Sequence, residues 1–215
     1  DSGEWELKKE DKVNGYDKSQ YVCDMIHATA SDGKQIPISI SYRKDIKRDG
    51  NNPTLLHGYG AYGSILDPEF TSNRISLLDR GFVYAVAHIR GSSALGREWY
   101  EDGKILKKKN SFTDFIACAE WLIAEKITST PKLAINGGSN GGLLVGACMT
   151  QRPDLFGACL PAVGVLDITD ALVVTWLMGG RPIRVLQYIA SGLIGRPAWI
   201  APVFSGFVAG YLNTI

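Results

Sequence analysis

Residues 132–149 read KLAINGGSNGGLLVGACM. The first part, Lys132–Asn136, predicts a β-strand, and the last part, Gly142–Met149, predicts a helix. Between them, Gly137–Gly141 follows the pattern G-x-S-x-G, with its serine at position 139. A strand, a tight turn and a helix in this order predict that Ser139 lies on a strained bend, because glycines on both sides leave room for the two elements to meet.

A serine on such a bend is suited to nucleophilic attack, since its hydroxyl stands exposed at the first turn of a helix. Backbone N–H groups and the positive end of the helix dipole face an anion that forms there, and the Asn140 N–H is the predicted donor. In a chain with 24 glycines, the pattern alone also fits a glycine-rich turn with an incidental serine. The flanking strand and helix favour a nucleophile at Ser139.

Short strands alternate with helices over residues 1–167, which predicts an α/β fold around a largely parallel sheet. Val22–Ala30 and Ile36–Tyr42 flank an Asp-Gly turn and predict an antiparallel hairpin at the sheet's edge. Thr54–His57 and Phe82–His88 are apolar without alternation, which predicts central, parallel strands.

A helix is predicted from Ser111, as a hydroxyl cap, to about Glu125. The basic stretch Lys107-Lys108-Lys109 precedes this helix and predicts a solvated loop, not a phosphate-binding patch.

The composition is that of an ordinary globular chain. Of 215 residues, 45% are hydrophobic and 21% are charged, and the formal net charge is +1. This balance gives no reason to expect a nucleic acid or an anionic membrane surface as partner. The cysteines lie in apolar segments without metal-ligand spacing, which predicts buried reduced thiols, a cytoplasmic protein and no metal or other cofactor: Cys23, Cys118, Cys148 and Cys159.

A second glycine pattern, Gly58–Gly63, has the form G-x-G-x-x-G of a dinucleotide-binding loop. The residues after it, Ser64–Pro68, do not open a helix, so nucleotide binding is the weaker alternative. A hydrolase explains the loop better, because the loop after the neighbouring strand supplies a second oxyanion donor. The phenolic hydroxyl of Tyr59 is the predicted group.

The longest motif spans Gly137–Val145 and Gln151–Gly157, and it resembles the nucleophile segment of the prolyl oligopeptidase family of serine peptidases. The resemblance covers roughly residues 1–167. Segments nearer the amino terminus resemble the oligopeptidase B branch of that family: Asp79–Phe82, Ala87–Gly91, Trp99–Lys104 and Leu106–Asn110.

This resemblance implies an α/β-hydrolase fold and an endopeptidase that cleaves short peptides through an acyl-enzyme. It assigns the nucleophile to Ser139 and the oxyanion donors to the Asn140 N–H and the Tyr59 hydroxyl. Acids that hold basic substrate side chains in oligopeptidase B fall in the same loop, although solvated loop acids are the alternative here. The implied substrate-binding residues are Tyr62, Asp67 and Glu69.

One departure from the family pattern concerns the general base. In α/β-hydrolases the acid and the histidine follow the serine in the chain, but His27, His57 and His88 all precede Ser139. No base is assigned, and His88 is predicted to have a core or strand-end role. The chain is therefore expected to be a weak peptidase by itself, with a catalytically silent scaffold as the alternative.

Three regions are predicted. Residues 1–20 would form the exit from an absent β-propeller, with a strand at Trp5–Lys9, and residues 21–167 the amino-terminal part of the catalytic domain. Residues 168–215 form an atypical apolar tail with four charged residues. A truncated protein is expected, whose missing propeller and carboxyl-terminal half would be its partners. Pro197–Ile215 is uncharged and near membrane-spanning length, but its prolines and glycines argue against a span.

Overall fold

The computed structural model describes residues 6–9, 13–67 and 69–164. Within these ranges, six strands form one sheet in the order β1-β2-β4-β3-β5-β6. The strands are β1 (Tyr21–Thr29), β2 (Gln35–Arg43), β3 (Thr54–His57), β4 (Val83–Ala87), β5 (Leu133–Gly138) and β6 (Ala158–Ala162). The helices are α1 (Ser72–Leu78), α2 (Arg97–Glu101), α3 (Lys109–Ala124) and α4 (Asn140–Gln151).

The strand directions confirm a mostly parallel sheet with an antiparallel amino-terminal edge. β1 and β2 form the predicted hairpin, and β2 runs antiparallel to β4. The turn between β1 and β2 contains Gly33 at φ +84°, a conformation that glycine adopts without steric cost. β3 is parallel to both β4 and β5, and β5 is parallel to β6. The carboxyl ends of β3 and β5 therefore lie side by side.

Helices α3 and α4 contribute large buried side chains to the core. α3 contacts β1, β2 and α4, whereas α4 contacts β5 and β6. The apolar stripe predicted for α3 is present, with Phe115 and Leu122 completely buried. Burying each such side chain contributes about 1.5–3 kcal/mol, so the helices are held by packing more than by their own propensity. The core residues from α4 are Leu144, Val145 and Cys148.

The start of α3 differs from the prediction. The helix begins at Lys109, and Ser111 caps nothing. The Ser111 hydroxyl is buried and donates instead to the Arg90 carbonyl at 2.7 Å. The prediction of a solvated loop is also wrong for Lys108, which is half-buried against the molecule. A hydroxyl near the start of a helix predicts an N-cap from sequence alone, but here the hydroxyl donates to carbonyls that are distant in sequence.

A buried ion pair joins the segment after β4, helix α3 and the hairpin turn. The Arg90 guanidinium donates to both carboxylate oxygens of Asp114, at 2.9 and 2.6 Å, and to Asp32 at 2.6 Å. Asp114 raises the pKa of Arg90. Since both Arg90 and Asp114 are buried, removing either partner would leave an uncompensated charge in the interior.

The cysteines confirm the expectation of free thiols, but not all of them are buried. Cys118 and Cys148 are buried, Cys159 is partly buried, and Cys23 is exposed. Burial raises the pKa of Cys148 to about 12, which keeps this thiol protonated and unreactive. Cys23 lies on β1, an edge strand of the described sheet.

The terminal regions bear on the predicted domain division. Residues 6–9, the described part of the predicted exit strand, are assigned to neither a helix nor a strand. The apolar tail and the segment Pro197–Ile215 lie outside the described residues. None of the described helices combines the length and the apolar composition that a membrane span requires. The division into three regions stays a prediction.

Candidate active site

Ser139 lies on the bend between β5 and α4, as the sequence predicts. Its backbone has φ +56° and ψ −116°, a conformation that is strained for any residue other than glycine. The residue is exposed. Its N–H donates to the Ala162 carbonyl of β6 at 2.9 Å, and its carbonyl accepts from the Gly142 N–H at 2.9 Å. The neighbouring strand and the first turn of α4 thus hold the strained conformation.

The glycines of the bend have the close contacts that the pattern implies. A Cβ atom on Gly137 would lie 2.6 Å from the Gly141 carbonyl oxygen and 2.7 Å from that of Gly58. A Cβ atom on Gly142 would lie 2.6 Å from the Ala162 carbonyl oxygen. Because these distances are shorter than any real Cβ contact, the bend requires glycine at these positions.

The amino terminus of α4 and the loop after β3 meet beside Ser139. The Asn140 side chain donates to the Tyr59 carbonyl at 2.6 Å. The Tyr59 ring packs against Gly141, with its Cδ2 atom 3.6 Å from where a Cβ on that glycine would be. Within the described residues the Asn140 N–H has no backbone acceptor, so it is available to an anion at the start of the helix.

The Asn140 side chain is a site feature that the sequence interpretation missed, since only its backbone N–H was considered. The bond to Tyr59 spans 81 positions. A side-chain amide directly after the serine was the available signal, but its partner depends on which strands are neighbours.

The loop Gly58–Gly63 does not have the geometry of a dinucleotide-binding turn. The helix that follows it, α1, begins at Ser72, nine positions after the last glycine. The loop instead lies against the segment after β4, where the Gly63 N–H donates to the Gly91 carbonyl at 3.0 Å. Without a helix amino terminus at the last glycine, the loop lacks the pyrophosphate site of such folds.

The predicted substrate-binding residues lie on the continuation of this loop. Tyr62 is 81% exposed, and its ring centroid is 6.5 Å from that of Tyr59. Asp67 and Glu69 are also exposed, and neither forms a salt bridge within the described part of the chain. The Glu69 N–H donates to the Asp67 carbonyl at 2.8 Å, so the two acids share one turn.

None of the three histidines is placed to activate Ser139. His57 Nδ1 shares a hydrogen bond of 2.8 Å with the Asn136 side chain. His88 is buried and shares a bond of 2.7 Å between its Nε2 and the Ser39 hydroxyl. His27 is exposed on β1. The described residues thus supply the serine and candidate oxyanion donors, but no base.

A metal site is not evident either. Within residues 6–9, 13–67 and 69–164, no group of three or more His, Cys, Asp or Glu side chains is placed to hold an ion.

Comparison with known proteins identifies the family. The model of the prolyl oligopeptidase family matches residues 68–182, which is more than half of the chain. The chain belongs to the prolyl oligopeptidase family. This confirms the resemblance seen in the sequence and the α/β-hydrolase fold, and it means that the relatives of this chain are serine peptidases.

Individual members of the prolyl oligopeptidase family are similar over most of the chain. Dipeptidyl aminopeptidase BI of Pseudoxanthomonas mexicana is 44% identical over 173 residues, which cover 80% of this chain and 24% of the relative. Prolyl endopeptidase of Elizabethkingia meningoseptica is 44% identical over 167 residues, covering 78% and 24%. The structure of oligopeptidase B from Trypanosoma brucei with covalently bound antipain superposes with a TM-score of 0.68 at 49% identity, covering 70% and 21%. The chain thus spans about a quarter of the length of these family members.

Proposed function

We propose that Ser139 is the nucleophile of a serine-type oligopeptidase that cleaves short peptides through an acyl-enzyme. The observation that carries this proposal is that Ser139 is exposed on the strand-to-helix bend, where its backbone has φ +56°. The Tyr59 loop is hydrogen-bonded to the same helix terminus, which supports a joint role.

In the proposed reaction, the Ser139 oxygen attacks the peptide carbonyl while a base takes its proton. The negative oxygen of the tetrahedral intermediate accepts hydrogen bonds from the Asn140 N–H and the Tyr59 hydroxyl. The amine leaves with a proton, and water then releases the acyl group from the serine. The Asn140 N–H lies at the first position of α4, and the Tyr59 backbone is bound to the Asn140 side chain, which supports a role of both residues at this helix terminus.

The 215-residue polypeptide by itself is proposed to be a weak catalyst. None of its histidines follows Ser139, and none hydrogen-bonds its hydroxyl. Losing the histidine of such a triad costs about 10⁴ to 10⁶ in turnover. The relatives are more than three times as long, so the propeller and the carboxyl-terminal half of a parent protein are the proposed partners that complete the site.

The proposed place of action is the cytoplasm. The support is chemical: all four cysteines are free, and the two buried ones, Cys118 and Cys148, have raised pKa values. Disulfides are rare in that compartment.

The proposed substrate contacts are made by the loop that carries Tyr62, Asp67 and Glu69. Asp67 and Glu69 are exposed carboxylates without a salt-bridge partner among the described residues, which favours a basic substrate side chain. The segment from Gly137 to Asp167 resembles the prolyl-specific branch of the family, whereas the earlier segments resemble oligopeptidase B. Peptides with a basic residue and peptides with proline are therefore both candidate substrates.

Modification by a fluorophosphonate probe tests the nucleophile. We expect slow labelling that maps to Ser139 and disappears in Ser139→Ala, because Ser139 is the one serine in the described part of the chain that has a positive φ. Ser64→Ala is the matched control, since Ser64 is also exposed but lies on a loop, and it should label like the parent. Rapid stoichiometric labelling would show that a base is present after all. Labelling that persists in Ser139→Ala would refute the assignment of the nucleophile.

Peptide phosphonates that carry Arg or Pro test the substrate class. If Asp67 and Glu69 hold basic side chains, the Arg probe should react with Ser139 faster than the Pro probe. The double variant Asp67→Asn with Glu69→Gln should lower the ratio of these two rates by about tenfold. The control is Glu125→Gln, an exposed acid at the end of α3. An Arg preference that survives loss of both acids would contradict their role.

A further inference from the structure

The loop Gly58–Gly63 has a second hydrogen-bonded carbonyl besides that of Tyr59. It is the carbonyl of Gly60, the next residue in the chain. Lys108 Nζ donates a hydrogen bond to this oxygen, and the Ser111 hydroxyl lies 3.4 Å from it. Gly60 is buried at φ +71°, and a Cβ atom there would lie 2.6 Å from Ile89 Cδ1. Its backbone therefore has a defined path, and a charged side chain holds it in place.

Lys108 is an unusual donor for a backbone carbonyl, because burial penalises its charge. Its ammonium lies 5.9 Å from the centroid of the Phe112 ring, and burial lowers the pKa of Lys108 to about 8. The nearby Lys104 and Lys107 form salt bridges with acids of α2 and its C-cap, whereas no carboxylate in the described residues pairs with Lys108. Ionised donors form shorter and stronger hydrogen bonds than neutral ones, so the contact holds Gly60 firmly.

Two consecutive carbonyls of the loop are thus bound by residues at the amino termini of two different helices. The Tyr59 oxygen accepts from Asn140 on α4, and the Gly60 oxygen accepts from Lys108, the residue before α3. Both bonds restrict the backbone from which the Tyr59 side chain leaves.

The geometry points to Lys108 as a positioning residue that holds the Tyr59 hydroxyl in the oxyanion site by fixing the Gly60 carbonyl. This inference rests on the proposed function, in which Ser139 is the nucleophile and Tyr59 an oxyanion donor. Lys108 does not touch the reacting atoms itself. It acts through the backbone of the loop, and its loss should matter only as far as Tyr59 does.

The first test compares rates of Ser139 modification by a fluorophosphonate, followed by intact mass. Lys108→Met keeps the apolar stem but removes the donor, and we expect about tenfold slower labelling, less than complete loss of an oxyanion donor. Lys108→Arg keeps charge and donors and should restore the rate to within about threefold. The matched control is Lys109→Met at the adjacent exposed lysine, which should label at the parent rate.

A double-mutant cycle separates positioning from general stabilisation. Tyr59→Phe should slow labelling by about 10². Adding Lys108→Met to Tyr59→Phe should then change the rate by less than about twofold, because no hydroxyl is left to position. Equal slowing in both backgrounds, or no slowing with Tyr59 present, would overturn the role of Lys108.

Hydrogen exchange provides a second measurement for variants that label too slowly to rank. The Gly63 N–H is bonded to Gly91, and its exchange should be at least about fivefold faster in Lys108→Met but not in Lys109→Met. Unchanged exchange overturns the inference. Labelling that survives Ser139→Ala refutes the proposed function, whereas labelling lost there but indifferent to Lys108 refutes this inference alone.

Discussion

At Gly137 an added methyl group has no space. It would meet the carbonyl oxygens of Gly141 and Gly58 at 2.6 and 2.7 Å, whereas a methyl group on the adjacent Gly138 would lie 3.9 Å from the nearest atom, the Ala162 carbonyl oxygen. Gly137→Ala should therefore destabilise the fold by about 1–3 kcal/mol. Gly138→Ala, the matched control, should stay within about 0.5 kcal/mol of the parent. Urea unfolding measures both, and equal free energies of unfolding would contradict the steric account.

The residue-scale features of the bend could be predicted because they are local. A serine between glycines, with a strand before and a helix after, needs only neighbouring positions to be recognised. The bonds from Asn140 to Tyr59 and from Lys108 to Gly60 could not be predicted this way, since they join positions 81 and 48 apart. Such contacts depend on strand order, which a local pattern does not contain.

At the scale of the elements, His88 joins β4 to β2. It directly follows β4, its ring bonds Ser39 of β2, and its carbonyl accepts from the Trp99 indole at 2.9 Å. Burial lowers the pKa of His88 below its ordinary value of 6.5. The unfolded chain therefore binds a proton more readily than the folded one just below this pH.

This linkage predicts a pH dependence of stability. The contribution of His88 is complete above about pH 6.5 and is lost as the pH falls through the lower pKa of the folded state, by at most about 1.4 kcal/mol per pH unit. Unfolding free energies between pH 7.5 and 5 should fall less steeply in His88→Gln than in the parent. His27→Gln, at the exposed histidine of β1, should keep the parent slope. Parallel curves for all three proteins would rule out this role of His88.

Most strands follow the predicted apolar runs, whereas the start of α3 does not. Strand burial leaves a repeated signal over several residues, as in Ile36, Ile38 and Ile40 of β2. A helix start rests on one or two side chains, and Ser111 is engaged by the Arg90 carbonyl instead. Long-range competition for a single hydroxyl leaves no trace in local sequence.

At the scale of the whole molecule, β6 is the last strand of the described sheet. Leu160 of β6 is 55% exposed, and Val163, directly after the strand, is 64% exposed. Exposed apolar strand edges promote association, so we expect the 215-residue polypeptide to self-associate with rising concentration. Leu160→Lys should reduce this association in light scattering. Leu106→Lys, at a 96% exposed leucine outside the sheet, should leave the association unchanged. Equal effects of the two substitutions would argue against β6 as the contact.

The family and the fold class could be predicted for the molecule as a whole, because the motifs extend over many residues. The base could not be assigned, since no histidine follows Ser139 in the sequence. The predicted exit strand at Trp5–Lys9 had no local signal of its own and rested on the resemblance, and residues 6–9 are not a strand.

The strand order divides the chemistry between two halves of the chain. Tyr59 follows β3 and Ser139 follows the adjacent β5, although α1, β4, α2 and α3 come between them in sequence. Ile105 and Leu106 begin a single turn of 3-10 helix (Ile105–Lys107), and their side chains are 80% and 96% exposed. A cut there would leave the phenol on one piece and the nucleophile on the other. If mixing the two pieces restored the reactivity of Ser139, the pieces would have reassembled, as the fragments of a split reporter protein do.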